Sequence, residues 1–307
     1  MKMKNKPVQT ESHRHHYIPQ FLIRNFSDRG DGFVRYYSIK TKKIKNMPTE
    51  DIFVYFDLYR DEKNNPDNPV KIESDLAKFE GEIAKLLKEK FYKGNEISLT
   101  FEEEDKLKLF IAIMMYRNAQ ANKVFSDKAP EEFKEKMKEF LPAGDPNDIW
   151  KKNLGYLVNC RSLQEVIDHP DIDDFFRHSV FFSSFGFFGT FLIVAERRGS
   201  SEFVLGDSFP YGHVSVADDN MRIPLFTYFP ISPERIIIVA SNLIKETHPS
   251  ARVISESLLR KPTISNGGIK ITVKKIYEKD VDFINGFAFK TAKDGVAFRN
   301  EENIQIL

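Results

Sequence analysis

Thr190-Phe191-Leu192-Ile193-Val194-Ala195, followed shortly by Glu202-Phe203-Val204-Leu205, marks the point where the chain changes character. Both runs are short, apolar and rich in β-branched or aromatic residues, which suit a buried pleated surface. They predict two paired strands around the turn Arg198-Gly199-Ser200. Strand patterns recur near 213–217, 223–229 and 235–240, with Phe229-Pro230-Ile231-Ser232-Pro233 as a rigid corner between the last two. A final helix near 278–291 leads into a short strand, Val296-Ala297-Phe298.

Upstream of this region the pattern is helical. The polar loop Asn64-Asn65-Pro66-Asp67-Asn68-Pro69 precedes a helix over 71–92. A second helix over 101–125 starts behind Thr100, with Glu103 at the capping-box spacing. Shorter helices are predicted over 130–140, 147–158, 162–168 and 171–178. Nearer the start, Phe33-Val34-Arg35-Tyr36-Tyr37-Ser38-Ile39 alternates and forms a hairpin with Lys43-Ile44-Lys45. The segment from His15 to Phe26 reads as a short helix with Pro19 in its first turn, and residues 1–12 as a disordered polar tail.

Strands on both sides of a helical middle, without βα alternation, predict an α+β fold. Long antiparallel helices would pack against a mainly antiparallel sheet built from the N-terminal hairpin and the C-terminal half. No linker is evident, so residues 13–307 are expected to form one domain. Its helical lobe would cover about 70–178 and its sheet-rich lobe 13–60 plus 188–307.

Composition narrows the class. The 307 residues carry 46 Lys and Arg against 45 Asp and Glu, and 41% are hydrophobic, enough to close a core. No apolar run reaches the ~20 residues of a membrane helix, and no apolar stretch follows the basic start as a secretory signal would require. The single cysteine, Cys160, cannot form an internal disulfide or a zinc cage. These features predict a soluble, cytoplasmic protein without a membrane partner. The excess of Phe, 28 residues against one Trp, is expected to be core. Charge is uneven: residues 1–46 hold a net +8 and residues 47–110 a net −6. A basic arm of this kind suits internal pairing, an anionic partner or a solubilising terminus.

Candidate functional residues are polar groups on apolar faces. The first long helix has the stripe Ile72, Leu76, Phe79, Ile83, Leu86 and Leu87, and Glu73 and Glu80 lie on one edge of it. A carboxylate there needs a cation, a metal, a site or solvent. In the second helix Arg117 follows Phe110 and Met114 at helical spacing. Its guanidinium calls for a carboxylate or phosphate, so an ion pair to Glu80 or Glu73 and an anion site are both open readings. His13, His15 and His16 form a cluster without a metal-binding spacing. His16 would stand just before a helix start, where backbone N–H groups attract anions. Asp207, in Leu205-Gly206-Asp207-Ser208-Phe209-Pro210, ends a strand and serves either as a turn residue or as a presented catalytic acid. No P-loop, GxGxxG, GxSxG, kinase set or EF-hand loop is present.

His16-Tyr17-Ile18-Pro19-Gln20-Phe21-Leu22-Ile23-Arg24-Asn25-Phe26 resembles the HYxPxxxLxxF opening of a mainly bacterial domain-of-unknown-function family, number 4238. The helix with Glu73 and Glu80, the helix with Arg117 and the segment Gly206-Asp207-Ser208-Phe209-Pro210 are similar to its later motifs, and Ile284-Asn285 to a C-terminal one. The chain departs from the family's TSDNP pattern around Asp207, and has Met114 where the family often has Gln. The resemblance spans roughly residues 13–298. It implies that these residues belong together and implies no reaction.

The residue set predicts a phosphodiester hydrolase, a nuclease on DNA or RNA acting in bacterial conflict or phage defence. His16 would move protons and Arg117 would hold the phosphate. Glu80 and Asp207 would orient the histidine or hold a divalent cation, Mg or Mn. His15, Tyr17, Gln20, Arg24, Glu73 and Ser208 are the candidate substrate contacts. The alternatives are a non-enzymatic module binding a nucleotide, nucleic acid or protein through the same residues, and a purely structural network.

Overall fold

The computed structural model describes residues 13–28, 30–117, 145–173, 189–216, 222–242 and 259–303. The tail 1–12, the helix over 130–140 and the continuation of the second long helix beyond 117 lie outside the described residues. So does most of the expected helix over 171–178, of which residues 171–173 are described and are not helical.

Six helices and fourteen strands are found among the described residues, an α+β fold. Strand β1 (Arg14–His16) precedes helix α1 (Gln20–Arg24), and β2 (Phe33–Ser38), β3 (Lys43–Pro48) and β4 (Val54–Phe56) follow. Next come α2 (Lys71–Lys90), β5 (Glu96–Thr100), α3 (Phe101–Arg117), α4 (Pro146–Leu157) and α5 (Leu163–Asp168). The second half holds β6 (Thr190–Arg198), β7 (Leu205–Gly206), β8 (Tyr211–Val216), β9 (Arg222–Pro230) and β10 (Arg235–Ser241). The last elements are β11 (Thr263–Ser265), β12 (Gly268–Thr272), β13 (Lys274–Tyr277), α6 (Glu278–Thr291) and β14 (Gly295–Phe298).

The single expected sheet is four. A five-stranded sheet runs β13-β6-β10-β9-β8, and a four-stranded one β3-β2-β14-β7. The smaller two are β11-β12-β5 and β1-β4. All pairs are antiparallel except β13 with β6. The N-terminal hairpin does join the C-terminal region, through β14 beside β2. The expected pairing of 190–195 with 202–205 does not form. Strand β6 is flanked by β10 and β13, and Leu205 pairs with Ala297 of β14. Glu202 and Val204 instead close a side-chain clasp: Asn285 Nδ2 donates to the Glu202 carbonyl at 2.7 Å, and Val204 N donates to Asn285 Oδ1 at 3.2 Å.

Strands β6 and β10 are buried on both faces, which is why they read as unbroken apolar runs. Helix α3 covers one face of the five-stranded sheet, with Phe110 edge-on to Phe229. The other face meets α6, where Phe287 lies against Tyr228. Adjacent residues of β9 thus point to opposite helices, as strand alternation requires. Helix α3 starts with the expected capping box: Glu103 N donates to Thr100 Oγ1 at 3.1 Å, and Thr100 N to Glu103 Oε2 at 2.8 Å. Its Leu109–Met114 run is buried all round, so α3 forms the spine of one hydrophobic core that spans both halves of the chain.

Candidate functional site

The His15–Phe26 segment is not one helix. Ile18 precedes a proline, which disfavours helical backbone, and the helix begins only at Gln20 behind Pro19. His16 lies on β1, paired with Val54 of β4. The expected anion-binding helix end at His16 is therefore absent, and α1 is a single short turn.

Arg117 ends α3 and is 1% exposed. Each of its three nitrogens is engaged. Nη1 meets Glu80 Oε1 of α2 at 2.5 Å, Nη2 donates to the His16 carbonyl at 2.6 Å, and Nε donates to the Tyr59 hydroxyl at 3.0 Å. One guanidinium thus ties together α2, α3, β1 and the loop after β4. The expected ion pair across the two long helices forms with Glu80. Burial pulls the Arg117 pKa down, but Tyr59, Glu80 and Glu73 outweigh it and hold the cation. Tyr59 is itself fixed between Trp150 of α4 and the ring of His15.

Around this buried cation stand half-buried groups. Glu73 lies on α2 two turns before Glu80, and its Oε2 is buried without a hydrogen-bond partner among the described residues. Burial, offset in part by Arg117 and reinforced by Glu80, pushes its carboxyl up to about 7. His16 Nε2 is likewise buried and unpartnered among the described residues. Burial lowers the imidazole below its ordinary 6.5, and the charges of Arg14, Arg117 and Arg24 add to the effect against a hydrogen bond with the Thr49 backbone. At neutral pH His16 is a neutral acceptor, and Glu73 stands near half-protonation.

The remaining candidates separate. Gln20 Oε1 accepts from Arg24 Nη2 at 2.7 Å on the exposed side of α1, and Arg24 lies within electrostatic reach of His16. His15 is buried, with Nδ1 accepting from Tyr59 N at 2.9 Å, and so braces the site without lining it. Tyr17 points away: it stacks on Tyr55, and burial followed by the Asp207 charge drives its phenol far up.

Asp207 does not join the Arg117 cluster. Its carboxylate accepts from the backbone N–H groups of Lys293 and Gly295 at 3.0 and 3.1 Å, and from Asp294 N. It therefore closes the turn between α6 and β14. Burial raises its pKa, and those three N–H bonds oppose the rise. A methyl group on Gly295 would strike the ring of Tyr36 and the carbonyl of Tyr37, so glycine is required there. Ser208 bonds to Thr291 of α6, also within this turn. Asp207 and Ser208 thus serve the turn, one of the two readings that the sequence left open.

Sequence reasoning missed Tyr59. It sits in an irregular segment with no periodicity to single it out, although it supplies one of the three anchors of Arg117. Cys160 is buried, with its thiol pushed up to about 12 by burial, as suits an unreactive packing residue. No group of three or more His, Cys, Asp or Glu side chains converges on a metal position among the described residues. Among them, no helix is long and apolar enough to cross a membrane.

Fold and cluster together define an α+β protein with two half-buried titratable groups ranged around a buried arginine. A family model described as protein of unknown function (DUF4238) matches residues 14–302, nearly the whole chain, and the chain belongs to that family. No curated protein and no solved structure matches it.

Proposed function

We propose that the protein is a hydrolase whose proton-transfer pair is His16 and Glu73, with phosphodiester bonds of DNA or RNA as its substrate class and bacterial conflict or phage defence as its setting. The observation that carries this reading is the pair of buried, unpartnered atoms, His16 Nε2 and Glu73 Oε2, beside one fixed guanidinium. The imidazole is lowered from its ordinary 6.5 and the carboxyl raised from 4.5 to about 7, an order that suits a base and an acid working near neutrality. Water would give its proton to His16 Nε2 as its oxygen bonds to phosphorus. Glu73 would then protonate the leaving oxygen as the P–O bond breaks.

Arg117 acts here as a positioning residue, because each of its three nitrogens already donates to a protein acceptor that holds it in place. The field of Arg14, Arg24 and Arg117 around His16 supports an anionic substrate. Glu80 keeps Arg117 in place. Incubation with labelled RNA and DNA, with and without Mg²⁺ or Mn²⁺, tests the reading. Cleavage lost in both His16→Ala and Glu73→Gln supports it, and cleavage that survives both substitutions overturns it.

A second reading follows from the three protein partners of Arg117: the cluster is a brace within a non-enzymatic module that binds a nucleotide, nucleic acid or protein. Binding without turnover would favour it.

A further inference from the structure

A cleft of about 380 Å³ opens on the four-stranded sheet, away from the Arg117 cluster. Its floor comes from the N-terminal hairpin. Phe33 and Arg35 are two apart on β2 and share a face, and Asn46 of β3 stands directly opposite Arg35. Phe33 is 42% exposed, unusual for a large apolar ring. The carboxylate paired with Arg35 is that of Glu301, at 3.9 Å and beyond hydrogen-bond reach. Arg299, just past the end of β14, completes the wall. Its Nη2 is held by Glu202 and Glu234, which neutralise it and fix its position at the cleft.

An exposed ring, a loosely paired guanidinium and an amide on one rigid sheet face match the three parts of a nucleotide. A base stacks on Phe33 with its edge toward Asn46, and a phosphate meets Arg35. Asp28, Asp31 and Lys45 also line the cleft. The two carboxylates offset the cations of Arg35 and Lys45, which suits one phosphate better than three, and they can accept from sugar hydroxyls. The volume lies in the range of small-ligand pockets. We infer that this cleft binds one nucleotide unit carrying a single phosphate, either free or within a single strand. The inference does not depend on the hydrolase reading, since it concerns equilibrium binding at other residues.

The test is calorimetric titration of the full chain, in EDTA, with adenosine 5′-monophosphate, adenosine 5′-triphosphate, inorganic phosphate and a 5′-phosphorylated single-stranded oligonucleotide. The monophosphate should bind about tenfold or more tightly than inorganic phosphate, the stacking advantage of one base, and more tightly than the triphosphate. Phe33→Ala should erase the advantage over phosphate, and Arg35→Gln should weaken both. Whichever of monophosphate and oligonucleotide binds more tightly identifies the source. His16→Ala should leave the affinity for the monophosphate unchanged, so failure of the hydrolase reading and failure of this one are separable. Equal affinity for phosphate and nucleotide, no binding by any probe, or indifference to both cleft substitutions in protein of unchanged Tm would each overturn the inference.

Discussion

Replacing Glu73 with Gln should make the protein more stable at alkaline pH and leave it unchanged in acid. The native carboxyl is raised from 4.5 to about 7, chiefly by burial. Between those values the folded state holds a proton that the unfolded state has released. Stability therefore falls as pH rises through that window, and the loss is complete above the folded value. At 1.36 kcal/mol per pKa unit, the carboxylate costs the fold about 3 kcal/mol at pH 8.5. Glutamine keeps the shape and removes the charge. Urea unfolding of wild type and Glu73→Gln, from pH 4 to 8.5, should give curves that coincide at the acid end and diverge by about 3 kcal/mol at the other. The difference between the two proteins cancels the other titrating groups. Parallel curves across the whole range would refute the placement of Glu73 in a desolvated position. A residue that weakens the fold while serving chemistry is a familiar trade, so the stabilised variant should also lose turnover.

Arg117→Met leaves the Glu80 carboxylate, the Tyr59 hydroxyl and the His16 carbonyl without their shared donor. A loss of about 3–5 kcal/mol in urea unfolding is expected, with partial recovery in Arg117→Met/Glu80→Met. Asp207→Ala strands three backbone N–H groups in the turn before β14 and should cost about 2–4 kcal/mol. Because the Asp207 oxygens are taken up by those N–H groups, turnover per folded molecule should not change, and a selective loss of kcat would contradict its role in the turn. The pH–rate profile should be a narrow bell. Its acid limb follows His16, below 6.5, and its alkaline limb follows Glu73, near 7, so His16→Ala should abolish the acid limb in any residual activity.

Local patterns are legible in the letters where one side chain's neighbours along the chain decide its environment. The stripe of α2, the Thr100–Glu103 capping box, the hairpin of β2 and β3, and the α6 segment all follow from spacing and from turn or cap chemistry. So does the need of Arg117 for an anionic partner, with Glu80 and Glu73 as candidates, because a guanidinium on an apolar stripe must meet something; the fold supplies Glu80. The family motif at His16–Phe26 is equally plain, although its spacing does not reveal that the backbone is strand at His16 and helix only from Gln20.

Tertiary structure alone decided the rest. Strand partners such as Leu205 with Ala297 are chosen by competition among distant edges, which no local period records. The same holds for the division of polar residues into two groups. Asp207 reads as a companion of His16, yet three backbone N–H groups that only the α6–β14 turn brings together claim its oxygens. Glu73 and Glu80 occupy one edge of one helix and read alike. Glu80 meets the guanidinium directly, while Glu73 is left with a buried oxygen that has no partner among the described residues. Desolvation depends on everything packed around a group, so the raised pKa of Glu73 appears only when the chain is folded.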